Sequence, residues 1–176
     1  PIAVMLGNDT NGAPQSGTEN AGVIYEAPVE GSITRLMAII EDYDNIPRIG
    51  SVRSCRDYFL FYANEYDAIY SHYGQAGYAL QYLDQHLDYL AQQSFHALDG
   101  MAYCSFYRTA DRVAPHNAYT DFSHLQAGIQ SQGYSQDYKE DYNGHFQFAP
   151  EGTETTLDDG VSANVVKLDN FAYNHP

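Results

Sequence analysis

The chain has 176 residues, of which 23 are acidic and only 8 are Lys or Arg, giving a formal charge of −15 and a pI near 4.5. That balance excludes a nucleic-acid-binding surface and electrostatic docking on anionic lipid, both of which need a basic face. With 44% hydrophobic and 18% charged residues the composition is that of a globular protein, long enough for one domain that buries roughly two-thirds of its unfolded surface.

In chain order, the apolar run Ile2–Leu6 ends at Gly7 and reads as a buried strand. Residues 7–20, rich in Asn, Gly, Thr, Ser and Pro, read as a long loop. Val23–Tyr25 and Ile33–Ile40 have strand character, and Asp42–Pro47 is a turn. Ser54 with Asp57 three residues on predicts a helix N-cap, after which Cys55, Tyr58, Phe59, Tyr62 and Tyr66 share one face. Ala68–Ser71 reads as a strand, residues 72–77 as a strand-to-helix turn, Tyr78–Leu90 as a helix and Met101–Tyr107 as another strand. Thr120 or Asp121 caps a helix that runs to about Gln132 and closes at Gly133. The acidic stretch 133–160 reads as loop with a short strand at Phe146–Phe148, and Ser162–Leu168 as a last strand. Strands separated by helices predict a single α/β domain over residues 1–176, a mixed β-sheet flanked by helices. No stretch approaches the ~18 apolar residues of a spanning helix and residues 1–7 hold no export signal, so the chain reads either as a mature fragment or as a segment expressed without its targeting sequence.

All six arginines fall between positions 35 and 112, and Arg53 and Arg56 bracket the predicted helix start. Cations there oppose the partial positive charge of a helix N-terminus, at ~0.3–1 kcal/mol each, and call for a compensating anion. Either Glu26, Glu30 or Asp57 supplies it, or a ligand does. On a straight strand the Cα atoms of Glu26 and Glu30 lie ~13 Å apart. That is too far for a retaining glycosidase pair, whose carboxyls are ~5–5.5 Å apart.

His72 falls at a strand end, where open α/β sheets hold ligands, or serves as a hydrogen-bonded structural residue. In the polar segment from Arg108 to Thr120, His116 suits a general base with Asn117 orienting it; the other reading is a turn in which Asn117 and Thr120 satisfy backbone groups. Cys55, beside two arginines at a helix start, is expected to have a lowered pKa, but nothing local supplies a base. Cys55 and Cys104 either pair as a disulfide or remain two buried thiols. Asp42-Tyr43-Asp44-Asn45 lacks the Gly and Glu of a calcium loop, the seven histidines lack zinc spacing, and Gly74–Gly77 is neither a P-loop nor a dinucleotide fingerprint. No metal and no cofactor is therefore expected.

The runs PIAVMLGN, PQSGTENAGVIYEAPVEGSITRLMAI, RIGSVRSCRDYF, EYDAIYSHYG, ALDGMAY and RVAPHNAYT cover most of residues 1–120 in order. Through them the chain resembles the YerB-like lipoproteins of Gram-positive bacteria, whose N-terminal domain has no established function. The resemblance implies an extracytoplasmic domain tethered through a lipidated cysteine upstream of Pro1, with a smaller C-terminal domain beyond Pro176 and no other membrane contact. The position of Cys55 is usually a small residue such as alanine in that family, which implies that Cys55 is not a nucleophile.

The leading expectation is a cell-envelope binding module whose pocket is lined by Arg35, Arg53, Arg56 and Arg108, with Glu26, Glu30, His72, His116 and Asn117 nearby. Its ligand is an anionic small molecule or cell-wall fragment: a wall-peptide carboxylate, an acidic glycan or a phosphorylated precursor. The alternative is an envelope hydrolase with His116 or His72 as general base, Ser54 as nucleophile and the arginines stabilising an oxyanion. A third reading is a scaffold that docks other envelope proteins through a surface rich in the chain's 17 tyrosines.

Overall fold

The structure is a computed structural model that describes residues 1–83, 95–101, 105–154, 158 and 160–165. They fall into two compact units, Pro1–His145 and Phe146–Pro176. In the first unit the strands are β1 Ile2–Gly7, β2 Val23–Val29, β3 Ile33–Ile40, β4 Ile49–Gly50, β5 Ile69–His72, β6 Ala97–Asp99, β7 Tyr107–Arg108 and β8 Ala118–Thr120. The helices are α1 Asp57–Asn64, α2 Gly77–Leu83 and α3 Phe122–Gln132.

A five-stranded mixed sheet has the order β2-β3-β1-β5-β6, and a small antiparallel sheet has the order β4-β8-β7. β1 pairs antiparallel with β3 and parallel with β5, and β6 extends the parallel half. The domain is α/β, with the central strand buried on both faces.

That burial follows from the apolar run of β1. Successive side chains alternate between faces. Ile2, Val4 and Leu6 pack with Ile40, Ile49, Leu98, Leu125 and Ile129, on the side that α3 covers. Ala3 and Met5 pack with Met37, Phe59, Leu60, Tyr66 and Tyr70, on the side of α1. Each of these large side chains stabilises the fold by about 1.5–3 kcal/mol when fully buried.

α3 is capped as the sequence indicates: Asp121 accepts from the backbone N–H of His124 at 2.9 Å, and Gly133 closes the helix at φ 66°. β2 runs four residues past the expected Tyr25, because the turn at Glu30-Gly31-Ser32 brings Val29 opposite Ile33 and zips the hairpin to its tip.

The start of α1 differs from expectation. Arg56, not Ser54, is its N-cap residue, and no side chain caps it. Main-chain pairing overrides the local signal. Val52 bridges Leu6, Arg53 N–H donates to Met5 C=O, and Cys55 exchanges bonds with Gly74 and Ala76. Residues 52–55 are thus held extended between the end of β1 and the turn after β5.

Other boundaries also shift. The strand expected at Met101–Tyr107 is the two-residue β7, with residues 102–104 outside the described residues. The helix expected over Tyr78–Leu90 is Gly77–Leu83, and residues 84–90 also lie outside them. Phe146–Phe148 is not a strand: its two rings are exposed and pack edge to face, 6.0 Å apart. Residues 162–165 form no strand, and the rest of that expected element lies outside the described residues, as does Cys104. Among the described residues no helix is long and apolar enough to cross a membrane.

Candidate functional site

β1, β5 and β6 run parallel, so the loops that follow them, Asn8–Asp9, Tyr73–Gly74 and Gly100, leave the sheet at the same edge. Ligands bind at that edge in open α/β sheets. The extended segment 52–55 crosses it, carrying Arg53 and leading to Arg56.

Three guanidiniums meet there. Arg35 stands on β3 opposite Gly7, is only 6% exposed, and donates through Nη1 to the main-chain carbonyl of Ser54. Arg56, also buried, grips Glu30 with Nε and Nη2 at 2.8 and 2.6 Å from Oε2, while its Nη1 donates to Cys55 C=O at 2.8 Å. Arg53 lies against the end of β1, where a Cβ on Gly7 would sit 3.3 Å from its Cγ; a side chain there would push it away.

The charges register on one another. Burial, then Arg56 and Arg53, pushes the Arg35 pKa down to about 10. Hydrogen bonds from Arg56 and Tyr78 hold the Glu30 carboxyl down at about 2. Among the described residues neither Arg35 nor Arg53 has a carboxylate within 4.0 Å, so Arg56 alone of the three is ion-paired.

His116 stands beside Arg53, its Nδ1 3.0 Å from Arg53 Nη1 and 3.4 Å from Asp9 Oδ1. Asp9 is fixed by the N–H groups of Asn11 and Gly12, each 3.1 Å from Oδ1. His116 also lines a cleft of about 460 Å³ with Asn11, Asp111, Arg112, Val113 and Ala114. The walls are tied together: Arg112 donates to Gly12 C=O and to Pro14 C=O, the latter at 2.9 Å, and Asp111 pairs with Arg48 at 3.1 Å.

The remaining candidates are placed elsewhere. His72 is 1% exposed, donates from Nδ1 to Gly74 C=O at 2.8 Å, and is held neutral by burial. Asp99 completes that turn by accepting from the N–H groups of Gly74 and Met101. This is the structural reading of His72. Arg108 bonds Asn117 Oδ1 at 2.5 Å and lies over the Tyr73 ring at 4.7 Å. Asn117 donates to Thr109 C=O, so it braces the β7–β8 turn and does not orient His116.

Glu26 accepts from Asn8 and Thr34 at 3.0 and 2.5 Å, whereas Glu30 serves Arg56 and Tyr78. Ser54 contributes its carbonyl, and among the described residues no histidine bonds its hydroxyl. Cys55 is a free, fully buried thiol whose pKa burial pushes up to about 12, the reverse of the lowering expected from its arginine neighbours.

Two residues of the site were missed in the sequence, Asp9 and Ser51. Asp9 follows the first buried strand in a polar loop, and such loops carry binding residues. Ser51 is fully buried and its hydroxyl has no partner among the described residues. No group of three or more His, Cys, Asp or Glu suited to a metal occurs among them.

Residues 1–135 match the family described as "Protein of unknown function (DUF3048) N-terminal domain". The chain is 35% identical over 136 residues to a Bacillus subtilis (strain 168) protein named "Putative lipoprotein YerB", covering 76% of this chain and 39% of that protein. The crystal structure of the YerB protein from Bacillus subtilis superimposes with a TM-score of 0.69 at 29% identity, over 78% of this chain and 46% of that one. The chain thus spans less than half the length of the relative it matches.

Proposed function

The chain belongs to the DUF3048 family through its N-terminal domain, and from that premise we propose that it is an extracytoplasmic, lipid-tethered cell-envelope domain that binds an anionic group at Arg35, Arg53 and Arg56. The observation that supports this reading is the state of Arg35. It is buried, it lacks a carboxylate partner among the described residues, and its nearest charges include two more guanidiniums. A buried unpaired charge is costly, and an anion that bridged Arg35 and Arg53 would offset that cost. Wall-peptide carboxylates, acidic glycans and phosphorylated precursors all present such a group. Thermal-shift screening against wall fragments tests it: acidic fragments raise Tm and neutral ones do not, and equal responses to both would reject the reading.

The hydrolase reading draws on one observation, the Asp9–His116 contact at a cleft wall. It requires the Nδ1–H tautomer, donating to Asp9, with Nε2 facing the cleft as base. Turnover of the same fragments, abolished by His116→Asn, would support it.

A further inference from the structure

We infer that Arg53, His116 and Asp9 form a proton-coupled oxyanion site, in which His116 turns from Arg53 to Asp9 on protonation and a doubly charged oxyanion takes the arginine donors so released. This rests on the anion-binding reading above and names the ligand chemistry and its control.

One imidazole nitrogen carries the argument. Nδ1 of His116 lies 3.0 Å from a guanidinium nitrogen, which can only donate, and 3.4 Å from a carboxylate oxygen, which can only accept. It can serve one partner at a time. Unprotonated, Nδ1 accepts from Arg53 and the proton of the neutral ring sits on Nε2. Protonated, it donates to Asp9 and presents a like charge and an opposed N–H to Arg53. Asp9 is anchored by two backbone N–H groups, so Arg53 is the partner that must yield.

The other charges near the ring are already engaged. On its own loop Arg112 is bonded to the Gly12 and Pro14 carbonyls, and Asp111 is paired with Arg48. The segment before α1 contributes Arg53, and the loop after β1 contributes Asp9. These two are the pair between which the imidazole chooses.

A second observation lies beside the same three residues. Ser51 is fully buried and its hydroxyl is unpartnered. The positions that Cβ atoms on Gly7 and Gly12 would take lie 3.2 Å from Ser51 Oγ and 3.5–3.6 Å from Asp9 Oδ2, so the two glycines let the loop after β1 close tightly on that hydroxyl. Arg35 and Arg53 have no carboxylate within 4.0 Å among the described residues, and a protonated His116 places a further positive charge 3.0 Å from Arg53. The protonated site therefore suits a dianion such as sulfate, or a phosphate monoester above its second pKa of ~6.

Sulfate, a dianion throughout the range, is the probe. Calorimetric titrations with sulfate are run at about pH 8 and about pH 5.5. In parallel, nitrogen-15 spectra of histidine-labelled protein report the His116 tautomer. Expected are the Nε2–H tautomer at the higher pH and sulfate affinity about tenfold tighter at the lower, the equivalent of one pKa unit of coupling. His116→Asn removes the pH dependence. Equal sulfate affinity at both pH values while His116 titrates overturns the coupling but leaves anion binding standing. An Nδ1–H tautomer at about pH 8 overturns it as well. No sulfate binding at either pH, with the tautomer as stated, sinks the anion-binding reading and this site with it.

Discussion

Arg35 donates to the main-chain carbonyl of Ser54, and that carbonyl lies between Arg53 and Arg56 in the chain. A guanidinium drawn to a carbonyl rather than a carboxylate, and flanked by two more cations, is a poor arrangement for stability alone. The five donors of the fork and its single described bond leave capacity for a further acceptor.

Replacing Arg35 by Met should therefore separate folding from binding. In anion-free buffer Arg35→Met is expected to leave stability unchanged or raise it by about 1–3 kcal/mol, as buried charges replaced by apolar side chains often do. The same variant should lose the stabilisation that sulfate gives the parent. Urea denaturation with and without sulfate reads both, and a loss of several kcal/mol without sulfate would show that the fold itself needs the charge.

Glu30 should confer an acid limb on stability. Its folded pKa of about 2 lies below the ordinary glutamate value of ~4.3, so its contribution is present above ~4.3 and lost as pH falls through about 2. The Glu30 side chain is 59% exposed, which screens the pair, while Arg56 is buried. About 1 kcal/mol is the expected cost of Glu30→Gln near neutral pH. Denaturation curves at several pH values should show the slope between ~4.3 and about 2 reduced in the variant.

The thiol of Cys55 should be unreactive despite its two arginine neighbours. Burial pushes its pKa to about 12, so the thiolate is scarce and shielded. In a Cys104→Ser background, alkylation by iodoacetamide should be slow for native protein and fast in denaturant. Rapid native labelling would contradict the burial.

Gly128→Ala tests the packing of α3. Alanine favours a helix by about 1 kcal/mol over glycine, yet its Cβ would lie 1.9 Å from Ser105 Oγ. The clash should win, at about 1–3 kcal/mol, and Ser105→Gly in the same chain should recover much of it. Thermal unfolding of the single and double variants measures this.

Much of the frame was legible because it rests on continuous or capped patterns. The apolar runs at Ile2–Leu6 and Ile33–Ile40 form β1, buried throughout, and its neighbour β3, and Asp121 with Gly133 frames α3. β4 and β8 are two and three residues long, too short to show a period. At Ser54 a sound local cap signal lost to main-chain bonds with Met5 and Gly74 that no local pattern encodes. The arginines could be picked out by their scarcity, and three of the four chosen do converge. Arg108 does not join them, and Asp9 went unseen because only the fold carries it to His116.

Anion binding by the arginines is read out by following the Nε–H signals of all six during a sulfate titration at low ionic strength. Those of Arg35, Arg53 and Arg56 are expected to move together along one saturable curve. Arg48 and Arg112, already held by Asp111 and by the Gly12 and Pro14 carbonyls, should stay still. If all six drift in proportion to salt, or Arg35, Arg53 and Arg56 do not move, the site is a folding device and not a place where an anion binds.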